Sequence, residues 1–195
     1  MQRMAKEKKI NTKEVIIVTI TLTLICLITT ALLAIINSVT EGPIEQNLIK
    51  AENEARMSVV AGASNFVEKQ GGAYYEAVDE SGNVIGYAVS TSAKGYGGDV
   101  SVMTGFDTEG KILKVVVVTA DDETPGLGAN IKNDAFLDTF KGKSGELKLV
   151  TVSQKTGADN EIDAITSATY SSVAVVEAVN EASGIVKTVV GGDGQ

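Results

Sequence analysis

Near its C-terminus the chain reads DAITSATYSSVAVVEAVNEAS, and five hydroxyl side chains, Thr166, Ser167, Thr169, Ser171 and Ser172, fall within seven positions. One hydroxyl is enough to cap a helix. Five of them in front of an apolar helical pattern permit more: a phosphate held at the helix's positive end, or an alcohol that is itself modified. An alcohol is a weak nucleophile without a base. The chain has no His and a single Cys, Cys26, so a Ser–His or Cys–His triad cannot be assembled. The same two counts exclude a structural zinc site of about four Cys or His ligands, an iron–sulfur cluster on about four thiolates and an intrachain disulfide. No metal ligands and no catalytic residue are expected. A Ser–Lys pair using Lys155 remains conceivable, but nothing in the sequence brings that Lys beside the hydroxyls. Redox chemistry in such a chain needs an organic cofactor.

Two further loops have residue types suited to a ligand. In AKGYGGD (93–99) three Gly surround Tyr96, allowing close backbone approach, although a flexible connector reads the same way. In DDETPGLGANI (121–131) Pro125-Gly126 fits a tight turn, Gly126 and Gly128 free N–H groups to face an anion, and Leu127 between them can lie against a flat ring. Glu123 and Thr124 can hydrogen-bond a ligand or only brace the turn. The pattern is not G-x-G-x-x-G, and no βαβ alternation surrounds it.

These loops must be held by something. Two hairpins, YYEAVDESGNVIGYAVS and SVMTGFDTEGKILKVVVV, carry turns at 79–83 and 107–111 with Gly82 and Gly110 in equivalent places. Val115–Val118 lacks alternation and reads as a strand covered on both faces. A short helix is expected over Ala129–Phe140 with Ile131, Ala135, Phe136 and Phe140 inward, a strand over Leu147–Val152, and a last helix over about Ser171–Gly184. That helix would bury Val175, Val176, Val179 and Ala182 and expose Glu177, Asn180 and Glu181. The expected fold is α+β: one N-terminal transmembrane helix, then a single domain with a twisted, mainly antiparallel sheet and flanking helices.

Val15–Ile36 contains no charge, and a helix of that length spans about 33 Å, close to the hydrocarbon thickness of a bilayer. A cleaved signal has a shorter apolar region, and no clear A-x-A site follows. Residues 1–14 hold five basic and two acidic residues, a net +3, which leaves −11 for the rest of a chain whose total is −8. The positive-inside rule then keeps residues 1–14 in the cytoplasm and puts the body outside. The acidic body disfavours nucleic acid as a partner. Helical spacing from Pro43-Ile44 through Phe66 predicts a linking helix over 37–72, with the body at 73–195.

DAITSATYSS resembles the attachment motif Dxx[ST]GAT of membrane-anchored FMN-binding domains, in which FMN is esterified through its phosphate to the final Thr. It aligns as Asp163, Thr166, Ser167, Ala168 and Thr169, with Ser167 where the motif has Gly. ETPGLG and KGYGGDV, with the short basic N-terminus and one span, are similar to the G subunit of the Rnf electron-transport complex, and related domains occur in the C subunit of the sodium-pumping NADH:quinone reductase. The resemblance implies FMN bound covalently at Thr169, with Ser167, Ala168, Ser171, Ser172, Glu123, Thr124, Gly126, Leu127 and Gly128 around it. It further implies other Rnf subunits as partners, a flavin transferase using FAD and a metal ion, and a single-pass place in the cytoplasmic membrane. The expected function is electron relay in an ion-translocating ferredoxin:NAD oxidoreductase. Alternatives are the same domain in another membrane redox or regulatory system, or a flavin-free anchored binding module.

Overall fold

The computed structural model describes residues 12–151 and 153–192. It contains two compact units, Met1–Asn47 and Leu48–Gln195. The described part of the first lies wholly in helix α1 (Thr12–Val59). Its Thr residues satisfy themselves: Thr19, Thr21 and Thr23 each donate to the carbonyl four residues back at 2.8–2.9 Å, so an apolar surface is kept in spite of the hydroxyls. α1 is long and apolar enough to cross a membrane, with its most apolar window entirely exposed. The helix does not begin at Pro43 but runs through it, forgoing one N–H donor.

The linking helix ends earlier than its spacing suggests. α1 stops at Val59, Gly62 adopts φ +86°, and Asn65–Lys69 forms strand β1. The apolar Ala63 and Phe66 that continued the helical period instead pack under the sheet.

The second unit is built on a five-stranded antiparallel meander, β1, β2 (Tyr74–Val78), β3 (Val84–Lys94), β4 (Asp99–Phe106) and β5 (Ile112–Thr119), with strands neighbouring in sequence order. Both hairpins close by the same device. The Asp79 carboxylate accepts the N–H groups of Ser81 and Asn83, and that of Asp107 those of Glu109 and Lys111, all at 2.8–2.9 Å. Gly82 and Gly110 take the left-handed conformation that such turns demand.

Strand alternation sends side chains to two apolar layers. Tyr87, Val89, Val100, Val102, Phe106 and Val115 face helix α3 (Thr169–Gly192), while Ala88 and Met103 face the end of α1 with Ala55, Val59 and Val60. Val117 packs on the first layer and Val116 and Val118 on the second, so this strand is covered on both faces. At Gly105 an added Cβ would lie 2.3 Å from the Val59 carbonyl oxygen; the missing side chain lets the helix end rest on the sheet.

The segment expected as one helix over Ala129–Phe140 is a 3₁₀ turn at Gly128–Lys132, a single helical turn α2 (Asp134–Leu137) and a second 3₁₀ turn at Asp138–Phe140. Asn133 breaks it with extended backbone. Ile131, Phe136 and Phe140 are buried as expected, but Ala135 is exposed and Leu137 takes an inward place. The late strand is β6 (Lys148–Val150), paired in parallel with β7 (Glu161–Asp163); Val152 lies outside the described residues. α3 starts two residues before Ser171 and extends past Gly184. It buries Val175, Val176, Val179 and Ala182, but Asn180 is not a free surface residue. Its amide exchanges hydrogen bonds with the Leu147 backbone, at 2.8 Å to the N–H and 2.9 Å to the carbonyl.

Candidate functional site

The five hydroxyls divide by burial. Ser172, fully buried, donates to the Ala168 carbonyl at 2.9 Å and accepts the Ile165 N–H at 3.1 Å, so it fastens the loop before α3. Ser171, also buried, donates to the Glu123 carboxylate at 2.6 Å. Thr166, Ser167 and Thr169 remain accessible or partly so. Thr169 is the first residue of α3, where the opening N–H groups of a helix lack intrahelical acceptors and carry partial positive charge.

Ser167 has φ +65°, one of two non-glycine residues with positive φ among those described. A Gly in the motif is explained by this conformation, which L-residues adopt at a cost of roughly 1–2 kcal/mol. Ser167 reaches the same turn without the glycine.

A cleft of about 450 Å³ opens beside Thr169, within the ~300–1,000 Å³ usual for small-ligand sites. Ser167 to Ser171 form one wall, Glu123, Thr124, Leu127 and Gly128 the second, and Tyr96 the third. Three loops far apart in sequence therefore converge. Two expected residues stay out of it: Ser172 is consumed below, and Gly126 makes the turn at φ +78° while its carbonyl accepts from the Asn130 amide at 2.9 Å. Tyr170 joins unexpectedly. Its ring and that of Tyr96 stand 6.4 Å apart at 48°, each 73% exposed, and Leu127 is 44% exposed beside them. Exposed aromatics converging on one cleft are a surface that a flat ring would cover. The sequence signal for Tyr170 is its place directly after the motif's final Thr.

Close approach holds these walls together. A Cβ on Gly97 would lie 1.8 Å from the Asp122 carbonyl oxygen, and one on Gly128 would lie 2.1 Å from a Glu123 carboxylate oxygen. Asp163, the motif's leading acid, is half-exposed at the end of β7 and pairs with Lys155 at 2.7 Å. That pairing, through its hydrogen bond and its charge, raises the Lys155 pKa above its ordinary value, so Lys155 is held as a cation rather than freed as a base. A second cleft of about 480 Å³, lined by Thr151, Ser153, Thr166 and Ser167 among others, shares Thr169 with the first.

Residues 95–184 match the family model for the FMN-binding domain, and residues 4–59 match the RnfG N-terminal region. The chain is 33% identical to the G subunit of the proton-translocating ferredoxin:NAD(+) oxidoreductase complex of Clostridium ljungdahlii, over 97% of this chain and 100% of that one. The chain belongs to the RnfG family. It is 35% identical to the G subunit of the Na(+)-translocating ferredoxin:NAD(+) oxidoreductase complex of Acetobacterium woodii, over 90% of this chain and 93% of that one. The fold is shared with the C subunit of the Na(+)-translocating NADH-quinone reductase of Parabacteroides distasonis, with a TM-score of 0.50 and 26% identity, over 58% of this chain and 60% of that chain. The matched FMN-binding region begins at Gly95, the start of the first cleft loop, and contains all three walls.

Proposed function

We propose that this RnfG-family chain carries FMN, joined by a phosphoester to Thr169, and relays electrons within a membrane-bound ion-translocating ferredoxin:NAD oxidoreductase. The observation that carries the reading is the division of hydroxyls at the motif. Ser171 and Ser172 are committed to the protein, while Thr169 stands at a helix start and lines the cleft. The residues fit the group. The α3 N-terminus suits a phosphate, and Tyr96, Tyr170 and Leu127 offer apolar faces to a planar ring. When bound, FMN supplies one- and two-electron redox chemistry; the chain holds it, orients it and limits its contact with water.

Attachment needs outside help. The cleft's carboxylate, Glu123, already accepts hydrogen bonds on both oxygens, and the chain has no His. A flavin transferase would direct the Thr169 oxygen at the FMN-side phosphorus of FAD, break the pyrophosphate bond, release AMP and take up the hydroxyl proton. The transferase and its metal ion, lipid and the neighbouring Rnf subunits are the proposed partners. The five basic residues before the span support a cytoplasmic N-terminus with the cleft on the opposite side, on the positive-inside rule.

The test is intact-mass analysis of the full chain produced with a flavin transferase. One FMN phosphoester per chain is expected, fluorescent after denaturation and absent in Thr169→Ala. An unmodified wild-type chain, or a Thr169→Ala chain still carrying FMN, overturns the reading.

A further inference from the structure

We propose that Glu123 is a positioning residue that sets the width of the cofactor cleft, not a ligand of the cofactor. The inference deepens the Thr169 reading and rests on it for the identity of the occupant. Glu123 is 3% exposed, the one buried carboxylate among the described residues. A buried carboxylate is costly unless its oxygens are satisfied, and none of the ion pairs among the described residues includes it. Hydrogen bonds take that place. One oxygen accepts the Tyr96 N–H at 2.7 Å and the Gly97 N–H at 3.3 Å, and the other accepts the Ser171 hydroxyl at 2.6 Å.

These donors lie 27, 26 and 48 residues away along the chain. One carboxylate therefore joins the Tyr96 loop to the first turn of α3 across the floor of the cleft. The Gly128 backbone closes over it, since a Cβ there would stand 2.1 Å from the carboxylate and 2.7 Å from the Ser171 oxygen. Its hydrogen-bonding capacity is turned toward protein, and little remains for a ligand.

The consequence lies in what the two joined walls carry. Tyr96 bears one of the bonded N–H groups, and Tyr170 precedes the bonded Ser171; their rings stand 6.4 Å apart. The rings themselves are largely exposed, so the backbone beneath fixes their separation. Glu123 supplies that fixture.

The test separates the clamp from the cofactor. In the full chain carrying Thr169→Ala, and so without attached flavin, amide hydrogen exchange is followed at Tyr96 and Gly97. The core amides of Val89 and Val102 report that the fold is intact. Protection at the two loop amides should fall roughly tenfold or more in Glu123→Ala and in Gly128→Ala, and stay within about threefold of its parent in Glu123→Gln, which keeps an acceptor of the same reach. In the chain with Thr169 intact and a transferase supplied, Glu123→Ala should lose the visible circular dichroism of the flavin and gain fluorescence. Glu123→Gln should restore both, and Glu123→Asp, one methylene short, should not. Unchanged protection in Glu123→Ala overturns the proposal, and so does a Glu123→Gln chain that behaves like Glu123→Ala, because charge rather than reach would then be the active property. An unmodified wild-type chain whose exchange pattern still follows the clamp overturns the Thr169 reading alone.

Discussion

Ser167 shows how much of a single residue's part the sequence holds. Its departure from the motif glycine is visible in the letters, but only the backbone shows that the position is left-handed, at φ +65°. Replacing it by Gly removes the steric penalty while adding freedom to the unfolded chain, and the first effect is the larger. Ser167→Gly should therefore stabilise the protein by about 0.5–1 kcal/mol, raising its melting temperature by about 2–3 °C. Differential scanning calorimetry checks this, and a lower midpoint would mean that the Ser hydroxyl makes up the cost. The roles of the other hydroxyls are not legible in the letters. The motif alignment singles out Thr169 but leaves Ser171 and Ser172 without a role, and only their bonds to Glu123 and Ala168 show what they do. Glu123 stands out as a candidate by its loop alone, but which way its oxygens point is a property of three loops together.

At the scale of elements, the strands are the readable part. Both hairpins and their turns follow from β-rich runs and a Gly at the left-handed position, and the doubly covered β5 follows from a β-branched run without alternation. Helix ends are less readable because apolar spacing does not say which partner will cover it. Phe66 continues a helical period but lies in strand β1, packed toward the end of α1; Ala135 sits at an inward helical position of a helix that Asn133 breaks. The turns also carry a pH response. In Asp79, the Asn83 backbone N–H first, then its side-chain amide and the Ser81 N–H, hold the carboxyl below its ordinary 3.8. The folded value is the lower one, so this contribution is complete above about pH 3.8 and is lost as pH falls through the folded value. Denaturant midpoints should decline as pH falls below about 3.8, with a shallower decline in Asp79→Asn, which keeps the acceptor but does not titrate. Equal slopes would assign the acid limb to other carboxylates.

For the molecule as a whole, charge and apolarity are distributed by segment. A net +3 in residues 1–14 precedes the uncharged Val15–Ile36, and −11 follows. A helix with its most apolar window bare to solvent has no stable place in water. The full chain should stay with the membrane pellet through high-salt and alkaline washes and leave it only in detergent. Release by salt would mean a surface association in place of a span.

The meander pairs each strand only with its neighbours along the chain, whereas Thr169 gains its surroundings only when α3 lies across β3 and β4. During synthesis the sheet can assemble from its own hairpins early, since its contacts are local. The proposed acceptor alcohol matures last. Loading of the proposed prosthetic group is thereby restricted to chains that have finished folding, and chains ended just after Ser172, which keep Thr169 but lack the rest of α3, should carry none of it.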